Sequence, residues 1–277
     1  MSPTSPPSPP ALLSRVAPVL GASVLALILF AQCSPAPAKE RAAPAPGGVA
    51  VVELFTSQGC SSCPPADRLL SKLAADPAYA GRVIPLAFHV DYWDYIGWTD
   101  PFSSAAWSNR QKQYAAAWSS NRVYTPQAVI NGTREMVGSG ERQVRAAIDD
   151  ALAAKAPVEV ALAVERIAGR DAVRVSVSAK HGAALPRDAQ VFVALVQNGL
   201  STQVGRGENG GRTLRNDAVV RKLAQAFALA AAAGANATGQ VELPLAAGAA
   251  GKDLTVAAFV QDPQSRAILG GAVRGLG

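Results

Sequence analysis

The sequence lacks a dense run of lysine and arginine, and basic and aromatic residues nowhere alternate along it. Its 26 Lys and Arg only slightly outnumber its 20 Asp and Glu, so the formal net charge is +6 over 277 residues. A domain that binds nucleic acid concentrates such charge on one face or along one helix. We therefore expect a mildly basic soluble surface and no nucleic-acid partner.

Cysteine and histidine are also scarce. The three cysteines are Cys33, Cys60 and Cys63. Exported scaffolds that depend on disulfides carry many bridges, so a disulfide-stapled fold is excluded. Only two histidines are present, and neither belongs to a paired-histidine helix motif, so a metal site from His89, Asp91 and Asp94 is a minor alternative. We expect no metal and no bound cofactor.

The first 38 residues are predicted to be an export signal. The apolar run Val19–Phe30 is too short to span a membrane comfortably, and Ala36-Pro37-Ala38 offers the small residues that a signal peptidase prefers. A lipoprotein cysteine at Cys33 is an alternative, although Gln32 fits that signal poorly, and a retained N-terminal anchor is another. We expect a periplasmic or secreted protein that touches a membrane only if Cys33 carries lipid.

A Pro-, Ala- and Gly-rich linker, residues 39–48, precedes a segment, residues 49–155, in which strand and helix patterns alternate. The predicted elements of this segment are strand 50–56, helix 64–75, strand 83–90, helix 101–118, strands 128–131 and 134–137, and helix 141–154. Asn131-Gly132 between the two short strands is a strong hairpin signal. The order is therefore β-α-β-α-β-β-α.

Residues 156–277 have a different pattern, in which short runs alternate apolar and polar residues as half-buried strands do. One helix, predicted at Val219–Ala233, interrupts these strands. We expect this part to form a mainly β, sandwich-like domain that follows the α/β domain.

The most informative motif is Cys60-Ser61-Ser62-Cys63, which follows the first predicted strand and opens the first predicted helix. Two thiols at this spacing can close a disulfide on one helical turn, and a helix N-terminus favours a thiolate. We predict that Cys60, which we expect to be the more exposed, is the attacking thiol and Cys63 the resolving thiol. The alternative is a static disulfide, but so short a loop constrains the unfolded chain only modestly.

The cysteine pair, the element order and Thr125-Pro126 together resemble the thioredoxin fold over residues 49–155. Thioredoxin-like proteins carry a cis-proline that faces the disulfide, so the resemblance places Pro126 at the active site and Thr125 beside the substrate. In thioredoxins a buried acid also lies beneath the pair. The resemblance therefore gives Glu53 the role of proton acceptor for Cys63, the alternative being an ordinary strand carboxylate.

A narrower resemblance is to a family of secreted thioredoxin-like proteins of unknown function. Its residues are Glu53–Asp67, His89–Asp94, Tyr124–Gln127, Gly207–Asn209 and Val219–Arg221, so it spans most of the mature chain. This resemblance implies the fold and says little about the substrate.

Two loops have competing interpretations. The loop from His89 to Pro101 contains Trp93, which either lines a substrate groove beside the cysteines or packs beneath the loop. We expect His89 itself to be a satisfied strand residue. The stretch Gly205–Gly210 matches the dinucleotide-binding glycine pattern, but no βαβ unit surrounds it, so a loop that docks the two domains is the better interpretation.

These observations predict thiol–disulfide exchange on exported proteins or on small thiols, with a redox partner protein that regenerates the pair. The alternative is a ligand- or protein-binding module in which Cys60 and Cys63 form a structural disulfide. Copper delivery is a weaker alternative, since no further ligand stands at a suitable spacing.

Overall fold

The computed structural model describes residues 47–245 and 251–276. Two almost continuously apolar strands, Ala50–Thr56 and Val83–His89, lie next to each other in its largest sheet. The strands are β1 Ala50–Thr56, β2 Val83–His89, β3 Gln127–Ile130, β4 Arg134–Val137, β5 Glu159–Arg166, β6 Ala172–Lys180, β7 Ala189–Gln197, β8 Leu200–Gln203, β9 Thr213–Asn216, β10 Val219–Leu229, β11 Asn236–Pro244, β12 Leu254–Gln261 and β13 Ile268–Gly275. The helices are α1 Pro64–Ala75, α2 Ala105–Ala117 and α3 Glu141–Ala153, with short 3-10 turns at Pro77–Tyr79, Asp94–Ile96 and Gly251–Asp253.

Strands β1 and β2 are parallel and in register from Ala50 opposite Val83 to Thr56 opposite His89. Every residue of β1 is buried, as expected for a parallel strand that is covered on both faces. Strand β3 pairs antiparallel with the other side of β1, and β4 pairs with β3 at the edge of the sheet.

Alternation along β1 decides which helix each side chain meets, because successive side chains point to opposite faces. Leu54 packs with Leu69 and Leu73 of α1. Phe55, one residue further on, packs on the other face, where its ring lies 6.1 Å from that of Tyr114 in α2. Helices α1 and α2 therefore cover opposite faces of the same strand.

One eight-stranded sheet runs through the described chain, in the order β13-β12-β7-β10-β2-β1-β3-β4. Strand β10 joins β2 where the Ala87 N–H donates to the Ala218 carbonyl over 2.7 Å. A second sheet, β11-β6-β5, packs on the later strands of the large sheet and encloses a second apolar core. The described residues on both sides of the boundary predicted between residues 155 and 156 belong to one compact unit.

The helix predicted at Val219–Ala233 is wrong, because most of this segment is β10. The strand pairs with β7 from Val219 to Leu229, but its register shifts twice, between Val220 and Lys222 and between Gln225 and Phe227. A bulge inserts an extra residue and so breaks the period of two. An alanine-rich run without that period favours a helix, and only the pairing with β7 makes it a strand.

The predicted export signal, residues 1–38, and almost all of the linker lie outside the described residues. Among the helices of the described part, none is long and apolar enough to cross a membrane.

The predicted hairpin at Asn131-Gly132 is confirmed, and it contacts the far end of the chain. Gly132 has φ +71°, and a Cβ built there would lie 1.9 Å from the carbonyl oxygen of Arg266. The Asn131 carbonyl accepts a 2.9 Å hydrogen bond from the Ile268 N–H.

We expect Gly132→Ala to destabilise the protein more than Gly81→Ala. Gly81 has φ +76° with nothing within 4 Å of the added Cβ, so alanine there costs only the left-handed backbone penalty of about 1–2 kcal/mol. At Gly132 the clash adds an overpacking cost of about 1–3 kcal/mol. Urea unfolding of both variants measures the difference, and equal losses would contradict the close approach.

Candidate functional site

The two cysteines lie in the turn that leads into α1. Cys63 is the N-cap residue of the helix, and its carbonyl accepts from the Ala66 N–H at 2.8 Å and from the Asp67 N–H at 3.1 Å. The Cys63 N–H in turn donates to the Cys60 carbonyl at 3.2 Å. This turn folds the two side chains together, and both are free thiols in the structure.

Neither cysteine is exposed. Cys60 is 1% and Cys63 0% exposed, whereas Ser61 and Ser62 between them are exposed. Cys60 is thus only marginally the more exposed of the two thiols, and the residues that cover it belong to distant parts of the chain.

The two thiols differ in acidity rather than in exposure. The interaction with Cys63 is the largest effect on the pKa of Cys60, and it lowers this pKa. Hydrogen bonds with Ser62 and Thr125 lower it further, and burial raises it. The result is a pKa of about 6 for Cys60. The Ser62 Oγ lies 3.2 Å from the Cys60 Sγ. Burial, followed by the hydrogen bond with Cys60, raises the pKa of Cys63. At neutral pH the site therefore holds a Cys60 thiolate beside a Cys63 thiol.

Thr125 and Pro126 face the cysteines from the start of β3. Their peptide bond is cis, and the Thr125 carbonyl oxygen lies 3.9 Å from the Cys60 Sγ. The half-buried Trp93 donates from its indole N–H to the Thr125 hydroxyl over 2.7 Å. The structure thus brings Trp93, Thr125 and Pro126 together beside Cys60.

A segment that joins β8 to β9, residues 204–212, covers the cysteine turn, and we refer to it as the cap segment. Asn209, fully buried, donates from its side-chain amide to the carbonyls of Gln58 (2.9 Å) and Cys60 (3.0 Å). The Ser61 N–H donates to the Glu208 carboxylate at 2.8 Å. The glycine-rich stretch Gly205–Gly210 was expected to be a loop that docks the two domains, and in the structure it binds the cysteine turn through Glu208 and Asn209.

Glu53 does not lie beneath the thiols, and its predicted role as proton acceptor is corrected. Its carboxylate accepts hydrogen bonds from Arg110, with Nη2 at 2.8 Å, and from the Tyr114 hydroxyl. Both partners belong to α2, whereas the cysteines precede α1 on the other face of β1. Glu53 is thus the buried strand carboxylate of the alternative interpretation, here in an ion pair.

Asp67 is the carboxylate that neighbours the thiols. It follows Cys63 by four residues in α1, a spacing that places two side chains on one helix face. The Thr56 hydroxyl donates to its Oδ1 over 2.7 Å. Burial raises the pKa of Asp67 to about 6, although His89 and the Thr56 hydrogen bond lower it. The spacing Cys-x-x-x-Asp was the sequence signal that could have identified it.

His89 is only half satisfied, contrary to expectation. Its Nδ1 lies 2.7 Å from the Asp100 carboxylate, while its buried Nε2 has no hydrogen-bond partner. The other two residues of the alternative metal site bond elsewhere, Asp91 to Ser108 and Asp94 to Ser103. Among the described residues no cluster of His, Cys, Asp or Glu has the arrangement of a metal site.

The chain can be compared with protein-family models, with solved structures and with curated proteins. A family model described as a protein of unknown function (DUF1223) matches residues 51–261. A crystal structure of an Agrobacterium tumefaciens protein is 30% identical, with a TM-score of 0.63, over 83% of this chain and 96% of that one. HBP35 of Porphyromonas gingivalis shares the fold at 19% identity and a TM-score of 0.62, over 84% of this chain and 76% of that one. No curated protein matches the chain.

We predict that Asn209→Ala accelerates alkylation of Cys60. Loss of the two buried hydrogen bonds should make opening of the cap segment easier by about 1–3 kcal/mol, and every 1.4 kcal/mol is about tenfold in the population of the open form. The rate of modification by iodoacetamide at neutral pH measures the change. Asn236→Ala, at an exposed position at the start of β11, is the control and should leave the rate unchanged. Equal rates in both variants would show that the cap segment does not limit access.

Proposed function

The chain belongs to the DUF1223 family, and we propose that it is an exported, thioredoxin-like thiol–disulfide exchange protein that uses Cys60 and Cys63. One arrangement carries the proposal: two free thiols share the turn that opens helix α1, beside a cis peptide bond at Thr125-Pro126. Their surroundings lower the pKa of Cys60 to about 6 and raise the pKa of Cys63. A static disulfide does not need this difference, whereas exchange needs one thiolate to attack and one thiol held in reserve.

The thioredoxin-like assignment is supported by the order of elements from β1 to α3 and by the sheet order β2-β1-β3-β4. It is supported further by the cis bond at Thr125-Pro126 beside Cys60. Export is supported only by residues 1–38, which lie outside the described part of the chain, and so is any lipid anchor at Cys33.

The proposed reaction begins when the Cys60 thiolate attacks one sulfur of a substrate disulfide. A mixed disulfide forms between Cys60 and that sulfur, and the second substrate sulfur leaves as a thiolate. Cys63 then gives its proton to Asp67, attacks the Cys60 sulfur and expels the remaining substrate thiolate. The substrate disulfide gains two electrons, and Cys60 and Cys63 lose two as they form a disulfide. The same steps in reverse, starting from the Cys60–Cys63 disulfide, oxidise a substrate dithiol.

Substrates are exported proteins or small thiols that approach beside Thr125 and Trp93, because the cap segment covers the other side of the turn. A second redox protein, or a small thiol or disulfide, returns the pair to its starting state.

The reaction predicts that Cys63→Ala traps a mixed disulfide at Cys60, because no resolving thiol remains. The same variant should raise the pKa of Cys60 from about 6 towards its ordinary value, since the largest lowering interaction is lost. Mass spectrometry after incubation with oxidised glutathione detects the adduct, and the pH dependence of alkylation gives the pKa.

Cys60→Ala is the matched control and should form little adduct, because burial raises the pKa of the remaining Cys63. Equal adduct formation in the two variants, or a Cys60 pKa near its ordinary value in the unmodified protein, would remove the basis of the proposal and favour a structural pair.

A further inference from the structure

A glutamine from helix α2 holds the peptide segment that faces the cysteines. Gln111 is 1% exposed, and its side-chain nitrogen donates to the Tyr124 carbonyl and to the Gln127 Oε1, each over 2.8 Å. The first partner stands immediately before Thr125 and the second immediately after Pro126. One buried side chain is therefore bonded to both ends of the segment that lies beside the cysteine turn.

The partners of Gln111 fix the directions of its hydrogen bonds. A backbone carbonyl only accepts, so the nitrogen of Gln111 faces Tyr124 and its oxygen faces the Tyr92 hydroxyl, which donates over 3.0 Å. Gln127 continues the network by donating from its own side-chain nitrogen to the Glu135 carboxylate over 3.1 Å. A polar network whose members are all satisfied is rigid and holds its side chains in one arrangement.

Tyr92 extends this network to the second loop beside the cysteines. Its neighbour in the sequence, Trp93, donates to the Thr125 hydroxyl over 2.7 Å. Because that hydroxyl accepts from Trp93, its own hydrogen is left to donate, and a hydrogen bond from Thr125 is among the interactions that lower the pKa of Cys60. Gln111 therefore joins the two loops that meet at Thr125.

We propose that Gln111 is a positioning residue, which holds Thr125 and Pro126 where the disulfide of a substrate meets Cys60. This inference rests on the exchange reaction proposed above and assigns to its first step a residue outside the cysteine motif. In that step the Cys60 sulfur bonds to one substrate sulfur, and the other substrate sulfur leaves as a thiolate.

This role predicts an effect on the reaction that differs from a loss of stability. Reaction rates depend steeply on relative position, and a displacement of about 1 Å that originates far from the chemistry can cost about 10²-fold. Without the two hydrogen bonds from Gln111, the segment with Thr125 shifts relative to Cys60, and the substrate no longer meets the thiolate in the same place. A small reagent that makes no contact with Thr125 is unaffected once the thiol is ionised.

The test is Gln111→Met, which keeps a side chain of similar length and removes its hydrogen bonds. The probe is a cysteine peptide joined by a disulfide to thionitrobenzoate, whose released thiolate absorbs visible light and reports the first step directly. At a pH where Cys60 is fully ionised in every variant, we expect the rate constant with the peptide to fall about tenfold. The rate of alkylation by iodoacetamide at the same pH should stay unchanged.

Gln261→Met is the matched control. Gln261 is fully buried, and its side-chain nitrogen donates to the Tyr114 hydroxyl over 2.8 Å and to the Arg266 carbonyl over 2.7 Å. The variant thus removes two comparable hydrogen bonds in another part of the fold. We expect it to lower the free energy of unfolding in urea comparably to Gln111→Met and to leave the peptide rate unchanged.

A second readout is the pKa of Cys60, taken from the pH dependence of alkylation. In Gln111→Met it should rise above about 6, because the Thr125 hydrogen bond that lowers it is displaced. In Gln261→Met it should stay in place. A purely structural glutamine would affect stability in both variants and would not change this pKa in either.

A peptide rate in Gln111→Met equal to that in Gln261→Met overturns the inference. Equal losses with the peptide and with iodoacetamide also overturn it, because the loss then concerns access to Cys60 and not the position of the substrate. Absence of reaction between the unmodified protein and the peptide contradicts the proposed function instead. The pKa of Cys60 then decides the inference separately, and an unchanged value in Gln111→Met overturns it.

Tyr92→Phe keeps the inference testable if Gln111→Met does not fold. It removes only the hydroxyl that donates to the Gln111 oxygen and leaves the ring in place. We expect a smaller fall in the peptide rate, with alkylation by iodoacetamide unchanged. A peptide rate equal to that of the unmodified protein would overturn the inference.

Discussion

The pairing of the Cys60 and Cys63 side chains in the turn that opens α1 is the interaction on which the rest of the site depends. It lowers the pKa of Cys60 and helps to raise the pKa of Cys63, so two chemically identical side chains differ in acidity. Burial opposes the lowering of the Cys60 pKa, but it is the largest cause of the rise in the Cys63 pKa. Helix α1 supplies the geometry, since its N-cap position holds Cys63 in place.

The second half of the chain completes this site although it carries no cysteine. Strand β10 enters the sheet next to β2, and the hairpin β8–β9 beside it brings the cap segment over the cysteine turn. Gln58 connects the two parts, since its side-chain amide donates to Asn216 in β9 over 3.0 Å. The low exposure of Cys60 therefore depends on contacts between distant parts of the chain.

Local signals in the sequence predict much of the first half. Helix α1 begins at Pro64 and ends at Ala75 as expected, since Pro64 and Pro65 are tolerated in a first turn and Asp76 ends the helix. Helix α2 is shorter than predicted, because Ser104 accepts from the Ala106 N–H and so fixes the N-terminus. Thr125, Pro126 and Trp93 lie near Cys60, and their roles in substrate binding and exchange stay predictions.

The errors concern contacts between distant residues. Glu53 stands on the strand before the pair, which made it one candidate for the acid, but its carboxylate lies on the face of β1 where Arg110 binds it. Strand β10 has two bulges and is alanine-rich, so its identity depends on pairing with β7. No residue close to Cys60 in the sequence indicates that Asn209, 149 residues later, covers it.

The reduction potential of the Cys60–Cys63 pair, measured by equilibration against glutathione, decides between an exchange pair and a structural disulfide. A low-pKa thiolate stabilises the reduced form, and a pKa of about 6 for Cys60 lies between those of thioredoxin and DsbA. We therefore predict a potential between about −270 and −120 mV. A pair that stays oxidised throughout the glutathione range, with a potential below about −300 mV, would be a structural disulfide and not an exchange pair.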